Sequence, residues 1–233
     1  MCGRYYSRAD KQRIADRFHL REVPDIPIAP DDNVAPTTFQ PVIRVGRDSG
    51  EREAALMRWG LIPNFAKSPA EFKRFATFNA RAESLASAAI WRVPFKRRRC
   101  LVPADGFYEW KKLDASRKPK REAYAISLAD GQPMAFAGLW DAWKEPDGQH
   151  WLQSFSIITT EANEAMAAIH TRMPVILHAR DWDEWLSRDD ARPAPAHLLR
   201  PYEAEGLRLE RCEAPRSGSP SRPAADSLFP NPQ

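Results

Sequence analysis

The sequence predicts an α+β fold: a single compact domain of several mostly antiparallel β-strands with short helices inserted between them. Three observations carry this reading. Aromatic and β-branched runs punctuated by Gly, Pro and Asp fill the middle of the chain, while apolar residues reach helical spacing only over short stretches. The 233 residues, 43% hydrophobic and 28% charged, suit one domain with a real core.

In chain order, "RADKQRIADRFHL" reads as a short amphipathic helix with Ile14, Ala15 and Phe18 on one face. The proline-rich "REVPDIPIAPDDNVAPTT" is expected to lack regular structure, with Asn33 to Pro36 as a fixed loop. "PVIRVGRDSGEREAALMRWGLIP" reads as a hairpin turning at Asp48, Ser49 and Gly50. "NARAESLASAAIWRVPF" starts irregular, becomes helical from about Glu83 and should end before Pro94. "RRRCLVPADGFYEWKKL", "EAYAISLADGQPMAFAGLWDAW" and "HWLQSFSIITTEA" are the strand-rich segments. "NEAMAAIH" predicts a helix that stops by Arg172, because Pro174 disfavours helix at Met173. "ARDWDEWLSRD" predicts another, with Asp181 as a first-turn acid. Residues 1–212 then form the folded domain, and the Pro/Ser-rich 213–233 a disordered tail.

Net charge is +4 and the pI about 9.0, compatible with a polyanionic partner without demanding one. Cys2, Cys100 and Cys212 lie far apart with no CxxC and no His/Cys cluster, which argues against a disulfide framework and a zinc site. No metal and no cofactor is expected. Arg4, Arg8, Asp10 and Lys11 interrupt any signal-peptide core, and no apolar run approaches a membrane span. The expected setting is therefore cytoplasmic and reducing, without a membrane partner.

Several residues could carry chemistry. Cys2 is either part of a frayed terminus or, once Met1 is removed, a residue with a free α-amine and a thiol together. Such a 1,2-aminothiol condenses with an aldehyde to an imine and closes to a five-membered thiazolidine. In "ADGFYEWKK" an extended backbone puts Phe107, Glu109 and Lys111 on one face, with Tyr108 and Trp110 on the other. Glu109 is then either a desolvated proton carrier or a surface carboxylate paired with Lys111 or Lys112. His170 follows an apolar position at a helix end, as a structural histidine or a ligand for phosphate or sugar oxygen. Asn79 and Arg81, two apart in "TFNARAES", point the same way if extended and suit a sugar hydroxyl beside a phosphate. Arg4, Lys73, Arg74 and the Lys96 to Arg99 run add positive charge, as a solvated face or a nucleic-acid contact. Trp59, Phe65 and Trp110 are candidate base-stacking aromatics.

The order of these blocks is more specific than any one of them. "MCGRY", "NVAP", "WGLIP", "FNARAES", "CLVPADGFYEW" and "IHTRMPVIL" in succession resemble the SOS response-associated peptidase family of abasic-site processing proteins, over roughly residues 2 to 180. The resemblance implies a compact α+β domain with twisted, barrel-like sheets and a basic groove for single-stranded DNA. It implies that the processed Cys2 attacks the aldehyde of an abasic site and ends as a thiazolidine DNA–protein crosslink. Asn79 would orient the opened sugar and Glu109 would move protons. His170 would contact the sugar–phosphate and assist ring opening and reversal. Arg4 and Arg81 would grip flanking phosphates, with Trp59 near the DNA. Lyase activity on abasic DNA and autoproteolytic exposure of Cys2 are further implications. So are a monomer acting on single-stranded DNA with abasic sites and a replication-fork setting. The chain departs from the family after Cys212, where members continue into an ordered segment with a Val-Asn step.

Two readings compete. A cysteine peptidase acting on proteins would use Cys2 as nucleophile, His170 as base and Asn79 as orienter. A non-covalent nucleic-acid-binding module would use the arginines and tryptophans alone.

Overall fold

The computed structural model describes residues 2–72, 75–146, 148–189 and 191–215. Met1, Lys73, Arg74 and the expected tail from residue 216 onward lie outside the described residues. The chain runs β1 (Tyr5–Ser7), α1 (Lys11–Phe18), β2 (Asp31–Val34), β3 (Phe39–Val45), β4 (Arg52–Trp59) and β5 (Asn79–Arg81). It continues α2 (Ala89–Arg97), β6 (Arg99–Ala104), β7 (Gly106–Lys112), β8 (Arg121–Leu128), β9 (Met134–Lys144) and β10 (Trp151–Glu161). Last come α3 (Glu164–Ala167), β11 (Arg172–Pro174), α4 (Trp182–Leu186) and β12 (Leu207–Cys212).

Two sheets organise these elements. The order β10-β4-β3-β6-β9 returns to β10 and closes a five-stranded barrel, parallel only at β4–β10. β5 prolongs the β4 side of β10, parallel to Ile157–Thr159, and β11 pairs antiparallel with Thr159–Glu161. The second sheet, β12-β8-β7-β1-β2, is antiparallel throughout. Alternation along the barrel strands sorts side chains between two cores, as a pleat of period two requires. Val42, Cys100, Val102, Phe136, Phe155 and Ile157 belong to one, which they share with Tyr5, Phe107 and Ile126 of the second sheet. Ile43, Leu101, Ala135, Ala137 and Ile158 belong to the other, under Ile14 and Phe18 of α1, Trp91 of α2 and Trp185 of α4. A single α+β fold with barrel-like sheets and short helices is therefore what the chain adopts.

The hairpin of β3 and β4 pairs from Phe39↔Arg58 to Val45↔Arg52, and Gly50 takes φ 68 in its turn. Three expectations are corrected. The proline-rich stretch is not wholly irregular: Asp31–Val34 pairs with β1 at a sheet edge, where flanking prolines are tolerated. Pro94 lies inside α2 rather than beyond it, buried like Trp91 and Phe95 of the same helix, so tertiary burial overrides its local preference. α3 is one turn long, capped by the Asn163 side chain, and ends before His170. The helix expected from Ala179 does begin there, as a 3-10 turn over Ala179–Asp181 with Asp181 as its first-turn acid, and runs on into α4. Beyond residue 180 the chain still builds structure, since β12 pairs with β8 from Leu207↔Leu128 to Cys212↔Ala123. Among the described residues no helix is long and apolar enough to cross a membrane.

Gly138 of β9 faces the barrel interior. A Cβ there would sit 2.8 Å from Cys100 Sγ and 3.0 Å from Val102 Cγ2. Gly138→Val should therefore overpack the barrel and cost about 1–3 kcal/mol in urea unfolding. An unchanged unfolding midpoint would show that the interior has slack at this point.

Candidate active site

The chain start is held as an extension of β1. Tyr5 and Tyr6 pair with Phe107 and Gly106 of β7, and the Tyr108 N–H donates to the Arg4 carbonyl at 2.9 Å. This carries Cys2 alongside β7, where it is fully buried. A terminus so close to its end is ordinarily frayed. Here Asn79 Nδ2 donates to the Cys2 carbonyl at 2.9 Å. Cys2 Sγ itself lies 3.8 Å from the Arg4 carbonyl. Burial, and then the nearby Glu109 carboxylate, push the thiol well above its ordinary pKa, so it is protonated at neutral pH.

Glu109 is 2% exposed on the inward face of β7, with Phe107 also buried and Tyr108 turned outward against Tyr6 at 5.2 Å. The period-two reading of "GFYEW" therefore holds, and Glu109 is not a solvent-exposed partner of Lys111 or Lys112. Asn79 opens β5, buried, with Ile157 of β10 opposite it. Its Oδ1 is buried and has no hydrogen-bond partner among the described residues, which leaves an acceptor beside the Cys2 backbone. Arg81, two residues on, is exposed. Arg4 is half-buried and enters no ion pair among the described residues.

His170 stands on the loop between α3 and β11. Its backbone N–H still reaches Met166 O, and its Nδ1 accepts the Arg172 N–H at 3.0 Å. The Arg172 guanidinium forms a two-pronged pair with Glu83, at 2.5 and 3.0 Å, and donates to Thr159 O at 2.7 Å. That contact, first among its causes, holds the Glu83 carboxyl below the ordinary carboxylate range. The His170 loop is thus tied to the turn that follows β5. Sequence reasoning passed over Glu83 and Arg172, although both lie inside the blocks that contain Asn79 and His170.

Trp59 requires a correction. It is fully buried, stacked on Phe155 and edge-on to Tyr5 and Phe78, so it offers no face to a base. Its indole N–H donates to Phe78 O at 2.8 Å, which makes it a support for the residue before Asn79. Phe65 is the exposed aromatic of that segment, at 59%. The Lys96 to Arg99 run is not one charged face either. Arg99 is buried and donates to the carbonyls of Trp185, Phe95, Lys96 and Ser187, and Arg98 pairs with the buried Asp141.

Comparison with known proteins shows the family. The family model described as "SOS response associated peptidase (SRAP)" matches residues 1–214. The chain belongs to that family. Among SRAP relatives, it is 37% identical over 227 residues to the abasic site processing protein YoqW of Bacillus subtilis, covering 94% of this chain and 97% of the relative. It is 39% identical over 210 residues to YoaM of the same organism, likewise called an abasic site processing protein. It is 33% identical over 200 residues to the abasic site processing protein HMCES of Xenopus tropicalis, covering 75% of this chain and 59% of that longer relative. A crystal structure from Bacteroides thetaiotaomicron superimposes with a TM-score of 0.79 at 27% identity, covering 90% of this chain and 91% of that one. Another, from Bordetella bronchiseptica, gives 0.76 at 28%, covering 91% and 100%.

The burial of Cys2 has a direct chemical consequence. Iodoacetamide near neutral pH should modify the partly exposed Cys212 first, with Cys2 and Cys100 slower by about tenfold or more, because alkylation needs an accessible thiolate. Peptide mapping that finds Cys2 modified as fast as Cys212 would contradict its buried position.

Proposed function

We propose that this SRAP protein processes abasic sites in single-stranded DNA, by forming a covalent thiazolidine crosslink through Cys2. The observation that carries the reading is the fixed chain start: the Cys2 carbonyl bonded by Asn79, with its thiol beside the buried Glu109 carboxylate. The abasic-site names of the relatives supply the substrate class. Once Met1 is removed, the Cys2 amine attacks the C1′ aldehyde of the ring-opened sugar. Loss of water gives an imine. The thiol sulfur then adds to the imine carbon while its proton passes to the nitrogen, so aldehyde and aminothiol become thiazolidine and one water. Glu109 relays protons in both steps, since a neutral thiol needs a base at the moment of ring closure. Asn79 holds the Cys2 backbone and presents its Oδ1 to the opened sugar. His170 donates to the sugar–phosphate, and Arg4 and Arg81 meet flanking phosphates. An imine that outlives ring closure leads to β-elimination, which is the basis of a lyase side reaction.

A proteolytic reading with Cys2 as nucleophile leaves the Glu109 carboxylate without a task and sets it against thiolate formation. Autoproteolysis is confined in this proposal to the exposure of Cys2.

A denaturing gel of the protein mixed with single-stranded abasic DNA tests the proposal. The native protein should give a heat-stable adduct that Cys2→Ala and an N-terminally blocked protein both lose. Absence of any such adduct from the native protein sinks the reading. Glu109→Gln should slow adduct formation by roughly a hundredfold or more while DNA binding persists. Full-speed reaction of that variant would remove Glu109 from the proton path. Arg81→Ala should weaken binding and flatten its salt dependence by about 0.7 in log–log slope, the share of one phosphate on a single strand.

A further inference from the structure

We propose that the β7–β8 hairpin is a phosphate-gripping arm that holds the DNA backbone beyond the reacting sugar; this rests on the function proposed above. The observation is where the charge sits. Residues 111–121, "KKLDASRKPKR", contain Lys111, Lys112, Arg117, Lys118, Lys120 and Arg121 against a single acid, Asp114. That segment carries a net +5 in a chain whose total is +4, so the rest of the chain sums to −1. Residues 92–99 carry as much charge, but there Arg98 is paired with Asp141 and Arg99 is buried, whereas the hairpin's cations are not engaged in this way.

These cations are available. All but Lys111 are exposed, and none of the six is in an ion pair among the described residues. Their one acid is engaged by the backbone: Asp114 accepts from the Ser116 N–H at 2.9 Å and the Lys120 N–H at 3.0 Å. The Leu113 N–H donates to Lys120 O at 2.9 Å, so the tip is closed and preorganised. Unpaired cations on an ordered tip, with Leu113 as its exposed apolar residue, suit a polyanion contacted through its charges.

The ladder joins the arm to the site. Glu109 pairs with Tyr124, and Lys112 pairs with Arg121 at the mouth of the turn. Lys112 lies three residues from Glu109 on one strand, about 10 Å away. A strand whose sugar reacts at Cys2 therefore passes the arm with phosphates a short way along, not with the reacting nucleotide itself.

The test uses the full protein and a triple variant, Arg117→Gln, Lys118→Gln and Lys120→Gln, compared by thermal unfolding to show equal folding. Affinity for a long undamaged single-stranded oligonucleotide is measured against salt. The variant's log–log slope should be shallower by about 2, three phosphates at roughly 0.7 each. On abasic DNA the variant should crosslink more slowly at limiting concentration and reach the same final yield. On an oligonucleotide trimmed to a single nucleotide either side of the lesion, the two proteins should react equally. Equal salt slopes overturn the arm while leaving the crosslinking chemistry intact. So does hairpin-dependent binding of poly-glutamate with no change on DNA, which would assign the arm to an acidic polypeptide. A slope difference without any adduct from the native protein leaves the arm standing and removes the chemistry instead.

Discussion

The hydrogen bond from Asn79 Nδ2 to the Cys2 carbonyl is the constraint on which the site depends. Ordering a chain terminus costs about 1–2 kcal/mol per residue in backbone entropy, and something must offset that. β1 offsets part of it by lying between β7 and β2. Asn79 contributes a fixed donor only because β5 is fixed in turn. β5 hydrogen-bonds to β10, and the Phe78 carbonyl receives both the Ile157 N–H at 3.0 Å and the Trp59 indole at 2.8 Å. The barrel thus acts on the N-terminus through a short chain of named contacts. Trp59 also touches Tyr5 edge-on at 5.2 Å, so a single indole braces both the residue before Asn79 and the strand that follows Cys2.

This support explains an electrostatic choice. Cysteine nucleophiles that act as thiolates sit beside cations or helix N-termini, which lower the thiol pKa. At Cys2, burial and then the Glu109 carboxylate hold the proton on sulfur and outweigh the terminal ammonium and the Arg4 backbone contact, which act the other way. A thiol kept neutral is a poor first attacker. It suits a reaction in which the amine acts first and the sulfur is needed only after an electrophilic carbon has formed beside it. In the proposed reaction, the neighbouring carboxylate that discourages early ionisation is then an acceptor for the proton when it must leave.

The outward signs of this site were legible in the sequence where local rules decide. The alternation of Phe107, Tyr108 and Glu109, the β3–β4 hairpin and the buried face of α1 follow from period and turn chemistry alone. The misreadings share one cause, which is contact with distant segments. Trp59 looks like a surface aromatic until β4 pairs parallel with β10 and closes the barrel over it. Arg99 looks like part of a solvated run until α4 places the Trp185 and Ser187 carbonyls around it. Pro94 looks like a helix stop until its ring is seen buried in α2. β2 exists because β1 leaves an edge open, and nothing within "DDNV" announces that.

His170 shows how far such distant contacts reach into the chemistry. The Arg172 amide lies 3.0 Å and the Arg172 carbonyl 3.3 Å from His170 Nδ1, so both backbone groups of that residue fix the ring. The same Arg172 spans to Glu83 and to the Thr159 carbonyl of β10, the strand that also carries β5. The position of the ring and the placement of Asn79 are consequently two outcomes of one packing arrangement around β10. A shift of β11 along β10 would disturb both together, although the sequence sets the His170 loop and the Asn79 strand far apart.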